Sequence, residues 1–237
     1  MEFDYKDLGL KAGLECHQQL DTGKLYCHCP GELTEAKPEF LFHRKIRPTP
    51  SELGEYDKAA LEAFSKNYTY SYESYNALNC LVELDEEPPQ SINKKALDTV
   101  LEVALLADSS VLDEFQTMRK AIIDGSTVSG FQRTMLVSLG GKIKLLNKEI
   151  GIATIMLEED ASRTIAKTEN GITYRIDRLG IPLIELATQP ELHTPEEVKE
   201  CALKIGELFR ITGKAKRGIG TIRQDVNISI REGTRVE

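Results

Sequence analysis

Apolar and polar residues follow one another with two different periods along this chain, and the changes of period mark its elements. Two short apolar segments lie close together at 152–157 and 181–186, each the length of a buried strand. The first runs into Glu158, Glu159 and Asp160; the second encloses Glu185 among Leu183, Ile184, Leu186 and Ala187. Residues 13–20 alternate, with Glu15, His17 and Gln19 on one strand face and Leu14, Cys16 and Leu20 mostly on the other. Over 221–231, Ile222, Val226, Ile228 and Ile230 share one face, opposite a polar row of Arg223, Asp225, Asn227, Ser229 and Arg231. Tyr68, Tyr70 and Tyr72 predict one face of another strand, either packed together or open to stack on bases. The run 80–84 reads as a strand closed by Asp85 to Pro89, and 115–155 as β-structure turning at Asp124-Gly125-Ser126 and Gly140-Gly141.

The helical period appears three times. Residues 56–66 carry a short pattern. Ser91 is the expected cap of a helix over 92–107, with Leu97, Leu101, Ala104 and Leu105 as its apolar stripe. For 195–211 the signals are fuller: Thr194 as cap, Pro195 at the first position, Glu197 completing a capping box, Gly213 after the end. Val198, Ala202, Ile205 and Phe209 form its stripe. Residues 30–55, with four prolines, read as a loop. Hairpins with a few helices predict an α+β fold.

Composition narrows the picture. The 237 residues are long enough to bury a core, and 41% are hydrophobic, yet no run approaches the ~18 apolar residues of a membrane span. The polar, acidic N-terminus lacks the pattern of a signal peptide. Five irregularly spaced cysteines suggest reduced thiols in a cytoplasmic protein rather than a disulfide framework. A net charge of −8 argues against broad nucleic-acid binding while leaving room for an RNA held at one basic patch. The chain stops at Glu237 without a closing signal, which suggests a piece of a longer protein.

Candidate chemistry begins at Glu185. An acid among buried neighbours must meet a cation, a donor or a metal. Glu158 is open to the same reading or to an ordinary solvated strand end. Glu15 and His17, two apart on a strand, can converge on one divalent cation or simply hydrogen-bond to each other. Cys27, His28 and Cys29 offer half a zinc site, which Cys80 or His43 would have to complete. Arg119, Lys120 and Arg133, among Ser126, Ser129 and glycines, form a basic segment suited to phosphates or an RNA end, or else a charged surface hairpin. Neither a P-loop nor a dinucleotide fingerprint is present.

Together these stretches carry a resemblance. YRIDRLGIPLIELAT at 174–188, GLECH at 13–17, KLYCHC at 24–29, LEED at 157–160 and RQDVN at 223–227 resemble the signatures of the GatB/GatE family of tRNA-dependent amidotransferases. The motifs stand in the family's order across nearly the whole chain. RK at 119–120, DGS at 124–126 and SGFQRT at 129–134 look like its E-type rather than its B-type members. The resemblance implies a cradle-shaped catalytic domain over 1–237, similar to glutamine synthetase and the guanido kinases. It implies a shortened C-terminal end, since the domains that grip the tRNA body are not in this sequence.

It also implies a chemistry. ATP phosphorylates the side chain of a glutamate mischarged onto tRNA(Gln), and ammonia from an asparaginase-like partner, GatD, displaces the phosphate. Magnesium would be held by Glu15, His17, Glu159 and Glu185, with Asp225 a further catalytic candidate and Glu158 a weaker one. Arg223 and Arg133 would stabilise charge on the phosphoryl group or the acceptor end, and Arg119, Lys120, Ser126, Ser129 and Asn227 would bind substrate or phosphate. The family's zinc-binding members pair C-x-C with a later C-x-x-C, whereas here Cys80 alone follows Cys27 and Cys29. Alternatives are a phosphotransferase acting on free glutamate-type molecules, or a non-catalytic tRNA-binding or assembly piece.

Overall fold

The computed structural model describes residues 4–45, 47–48, 53–56 and 58–237. Residue 57 of the expected first helix, 46 and 49–52 of the expected loop, and residues 1–3 lie outside them. The helices are α1 (Tyr5–Leu8), α2 (Lys58–Ser65), α3 (Lys94–Leu106) and α4 (Pro195–Ile211). In chain order the strands are β1 (Lys11–Gln19), β2 (Phe40–Arg44), β3 (Thr69–Ser74), β4 (Ser110–Val111), β5 (Thr117–Ala121) and β6 (Phe131–Leu139). After them come β7 (Lys142–Lys144), β8 (Glu149–Glu159), β9 (Arg163–Thr168), β10 (Gly171–Arg175), β11 (Pro182–Thr188) and β12 (Ile222–Ser229). Among these residues no helix is long and apolar enough to cross a membrane.

Strand alternation decides how the larger sheet is used. It runs β12-β1-β11-β8-β6-β4, with β5 beside β6 and β7 beside β8, and every pairing in it is antiparallel. Leu14 and Cys16 of β1, Ile184 and Leu186 of β11, and Ile155 and Leu157 of β8 turn to one face. There they pack against Ala96, Val100, Val103 and Ala104 of α3 and Cys201, Ile205 and Phe209 of α4. The alternate residues of the same strands, Glu15, His17, Glu185 and Glu158, are thereby sent to the face without helices. Helices segregated to one side of an antiparallel sheet give a mixed α and β architecture in which apolar strands hold a polar surface rigid.

A second sheet, β2-β3-β10-β9, has its own aromatic centre, with Tyr70 and Tyr72 each stacked on Tyr174 and Phe42 on Tyr72. The tyrosine row is thus packed rather than presented to bases. Tyr72 and Tyr174 hydroxyls donate to the carbonyls of Gly125 and Asp124, at 2.8 Å each, and so fasten the loop after β5. Gly125 has φ +83°, and a Cβ there would fall 2.2 Å from the Tyr70 ring, so only glycine fits.

The structure revises several expected elements. Part of the expected 30–55 loop is β2, paired with β3. Residues 80–84 form turns instead of a strand, because the Glu83 carboxylate accepts from the Cys80 amide at 2.8 Å and local bonds close back from Leu84 and Asp85. Helix α3 is capped by Asn93 rather than Ser91: its Oδ1 accepts from the Lys95 and Ala96 amides while its Nδ2 donates to the Thr22 and Lys24 carbonyls. The buried side of α3 is Ala96, Thr99, Val100, Val103 and Ala104, with the expected Leu97 and Leu101 partly buried against the core, whereas Leu105 is 72% exposed. Helix α4 has the expected limits and the Thr194 cap, with Cys201 and Gly206 joining its buried side. The Glu197 carboxylate reaches the His193 amide instead of closing the box on Thr194.

Candidate functional site

Three neighbouring strands place four groups on the open face. Register sets His17 of β1 opposite Glu185 of β11, and Glu158 of β8 opposite Leu183, two residues before Glu185 on β11. His17 Nε2 lies 3.3 Å from Glu185 Oε2, 3.6 Å from Glu158 Oε1 and 3.7 Å from Glu15 Oε1. Glu158 and Glu185 are buried, His17 is half-buried and Glu15 lies at the rim. The lone acid of the apolar run therefore meets an imidazole, as its burial required. Glu158 is 1% exposed, which removes the solvated reading, and its Oε2 accepts from Thr134 Oγ1 at 3.0 Å.

The charges here are mutually adjusted. Burial would lower the His17 pKa, but the hydrogen bond and charge of Glu185, with Glu158 and Glu15 behind, raise it above the ordinary histidine value. Burial and then the Glu185 charge raise both Glu158 and Glu15. Burial also opposes ionisation of Glu185, yet His17 and then Lys120 hold it below the ordinary range. Lys120 Nζ, on a half-exposed side chain, stands 3.9 Å from Glu158 and 4.0 Å from Glu185. Three acids crowded on one imidazole gather negative charge, with the half-exposed Lys120 ammonium at its edge. The oxygens of Glu15 and Glu185 and a nitrogen of His17 all lie within 4.8 Å of one another, a donor set that suits a hard divalent cation.

Other expected residues are distributed around this centre. Glu159, expected beside His17, is on the opposite side of β8, because adjacent residues of a strand face opposite ways. Its carboxylate takes two bonds from Arg133 Nη1 at 3.1 and 3.3 Å, and burial raises its pKa more than Arg133 lowers it. Arg133 is thus engaged with Glu159 and lies over the Tyr26 and Phe131 rings. Arg119 also lies over Phe131, on the other side of β5 from Lys120. Arg223 and Asp225 of β12 face His17 and Glu15 across the ladder. The Arg223 guanidinium donates to the buried Asp160 at 3.0 Å, and Gln19 Nε2 donates to the same carboxylate at 2.7 Å. Asn227 has a buried Oδ1 without a partner. Ser126 lies in the loop clamped by the tyrosines, and Ser129 Oγ donates to the Phe131 carbonyl.

A separate group forms where the 27–29 segment meets the 80–84 turns. Cys27, Cys29 and Cys80 come together with Glu83, their ligand atoms within 4.8 Å of one another. All five cysteines are free. His28 is exposed, and His43 sits on β2 bonded to Ser71, so neither joins the group. Sequence reasoning missed Glu83 and underrated Glu158. The spacing Cys80-x-x-Glu83 was the signal for the first; strand parity relative to Leu157 was the signal for the second.

The sequence matches the family described as the GatB/GatE catalytic domain over residues 10–237. It is 53% identical over 236 residues to the E-type subunit of glutamyl-tRNA(Gln) amidotransferase from Thermococcus gammatolerans, covering 100% of this chain and 37% of that protein. The proteins of the same name from Pyrobaculum neutrophilum and Methanocaldococcus jannaschii are 52% and 51% identical, over 99% and 100% of this chain and 39% and 38% of theirs. The chain therefore spans less than two fifths of the length of these relatives.

Proposed function

The chain belongs to the GatB/GatE catalytic domain family, and on that premise we propose that it is the cradle-type catalytic part of a longer cytoplasmic glutamyl-tRNA(Gln) amidotransferase. The reaction has two steps. An oxygen of the glutamate side chain on tRNA(Gln) attacks the γ-phosphorus of ATP and ADP leaves. Ammonia from an asparaginase-like partner protein then attacks the activated carbonyl carbon; phosphate leaves, a proton is lost, and Gln-tRNA(Gln) results.

The observation that carries this reading is the convergence of Glu15, His17, Glu158 and Glu185 on the helix-free face. Three carboxylates and one imidazole fit magnesium, and a bound ion there would neutralise phosphate oxygens during transfer. His17 keeps Glu185 ionised and oriented, and Thr134 fixes Glu158. Lys120 is free to swing from the acids towards an incoming phosphate, since its reach to them is at the limit of an ion pair. Arg223, held by Asp160, can face the phosphoryl group or the tRNA acceptor end. Half-buried Arg133 serves instead as the cation that neutralises Glu159.

The test uses the full-length protein with its asparaginase-like partner and magnesium, following phosphate release from ATP. Release is expected to require Glu-tRNA(Gln) and to fall by at least about a hundredfold in Glu185→Ala, the scale of losing a group that acts in the transition state. Equal turnover with free glutamate would favour a small-molecule phosphotransferase. Undiminished turnover in Glu185→Ala would remove the site.

A further inference from the structure

Beyond Glu158 the polar face changes sign. Asp160 directly follows β8, and its amide still bonds the Ile181 carbonyl at 2.7 Å, so its side chain returns to the side of Glu158. It is 1% exposed. Its Oδ1 accepts from Arg223 Nη2 at 3.0 Å and from the Ala161 amide at 2.9 Å, and its Oδ2 accepts from Gln19 Nε2 at 2.7 Å. A second guanidinium approaches the same carboxylate, with Arg178 Nε 3.6 Å from Oδ1. Arg178 is itself tied down, donating to the Ala161 carbonyl at 2.7 Å and to the Ser162 carbonyl at 2.8 Å.

One carboxylate thus stands between two cations. Burial lowers the Arg178 pKa most; the Asp160 charge opposes this, while those of Arg223 and Arg163 add to it. Arg163 has acids of its own in Asp177 and Glu35, so the charge left over belongs to Arg178 and Arg223. A guanidinium carries five N–H donors; two of Arg178 and one of Arg223 meet an acceptor among the described residues. The pair also lies close to the acids. Arg223 is opposite His17 across the ladder, and Gln19 is two residues on from His17 along β1, a step of about 7 Å.

We propose that Arg178 and Arg223 form a two-guanidinium clamp for a tetrahedral phosphoryl group, and that Asp160, with Gln19, is the positioning residue that holds the pair beside the acids. Guanidinium forks match phosphate oxygens, and a phosphoryl group takes up the positive charge that one carboxylate leaves unbalanced. Acids that suit a divalent cation, set one pleat from a pair of arginines, can address different oxygens of the same group, as phosphoryl transfer requires. The identity of that group rests on the amidotransferase reading: it is the γ-phosphoryl on its way from ATP to the glutamate oxygen, and then the phosphate that ammonia displaces. Asp160 touches none of the reacting atoms. It keeps two like charges together and fixes their direction.

Inorganic phosphate titrated into the full-length protein with magnesium, without tRNA or partner, and followed by phosphorus NMR, tests the clamp apart from that reading. Arg178→Ala and Arg223→Ala are each expected to weaken phosphate binding by ~10–100-fold, the scale of a charge-assisted hydrogen bond. The double variant should lose little more, because Asp160 neutralises whichever arginine remains. Added guanidinium should restore turnover to Arg178→Ala, which a packing role would not allow. In Asp160→Asn a negative charge leaves, so phosphate affinity should hold or rise, while kcat for phosphate release falls by ~10–100-fold through misplacement of the pair. Gln19→Met should show the same split if the asparagine variant does not fold. A merely structural Asp160 would lower phosphate affinity, kcat and Tm together, which would overturn its role. Absence of phosphate binding by the wild type, or binding unchanged in both arginine variants, would overturn the clamp and leave the amidotransferase reading standing. Equal turnover with free glutamate would remove that reading and leave the clamp.

Discussion

Glu158 and Glu159 are neighbours on β8, and the pleat sends their carboxylates to opposite sides of the sheet. Glu158 faces His17 at 3.6 Å, while Glu159 is spent on Arg133 at 3.1 Å. Magnesium binding by the full-length protein, measured by calorimetry, should therefore weaken by about tenfold or more in Glu158→Gln, as a ligand charge is lost. Glu159→Gln should leave it within about twofold, since Arg133 shields that acid from the other face. Equal weakening in both variants would show that the ion sits elsewhere. The sequence alone made Glu15, His17 and Glu185 legible, since alternation and an acid in an apolar run are local signals. Through the family resemblance it favoured Glu159 over Glu158, and the structure sets Glu158 beside His17 instead, because a shift of one residue exchanges the two faces of a strand. The cation that Arg133 supplies to Glu159 comes from another strand and has no local trace.

The start of α4 shows how local signals build a whole element. Thr194 Oγ1 accepts from the Glu197 amide at 3.2 Å, and Glu197 Oε2 accepts from the His193 amide at 2.7 Å and from Lys148 Nζ at 2.6 Å. Burial acts to raise the Glu197 pKa, but Lys148 and the His193 amide outweigh it and hold it below the ordinary 4.5. An acid with a lowered folded pKa stabilises the fold above its unfolded value and loses that contribution as pH falls through the folded one. Because the group is largely solvated, the gap between wild type and Glu197→Gln should be only a few tenths of a kcal/mol. It should be present in urea midpoints at pH 7 and vanish by about pH 3. A gap of the same size at both values would assign the effect to packing. Helix α4 was readable because its cap, first proline and terminal glycine act within a turn or two. Helix α3 lies where expected but starts at Lys94 rather than residue 92, because Ser91 and Asn93 are both competent caps and the choice falls to Asn93 through its bonds to Thr22 and Lys24, some seventy residues away in sequence.

Across the whole molecule, long-range pairing sets what the chain can bind. β1 sits between β11 and β12, which arrive from the far end of the sequence, and β3 lies parallel to β10 across about a hundred residues. No local pattern encodes those neighbours, so the α+β class was legible while the topology that gathers the site was not. The same topology disperses the cations. Arg133 is taken by Glu159, Arg163 and Arg175 by Asp177, Glu73 and Glu35, and Arg178 is turned towards Asp160. Lys120 and Arg223 remain exposed near the polar face, and Arg119 is exposed on the other side of β5, on a chain with 30 basic and 38 acidic residues. Two or three phosphate contacts predict a shallow salt dependence, with log K falling by roughly 2–3 per decade of salt, and weak binding overall. Residues 1–237 alone should thus bind tRNA more weakly than micromolar in filter assays at low salt. Sub-micromolar affinity, or a much steeper salt slope, would mean that the polar face gathers more cations around tRNA than its resting arrangement offers.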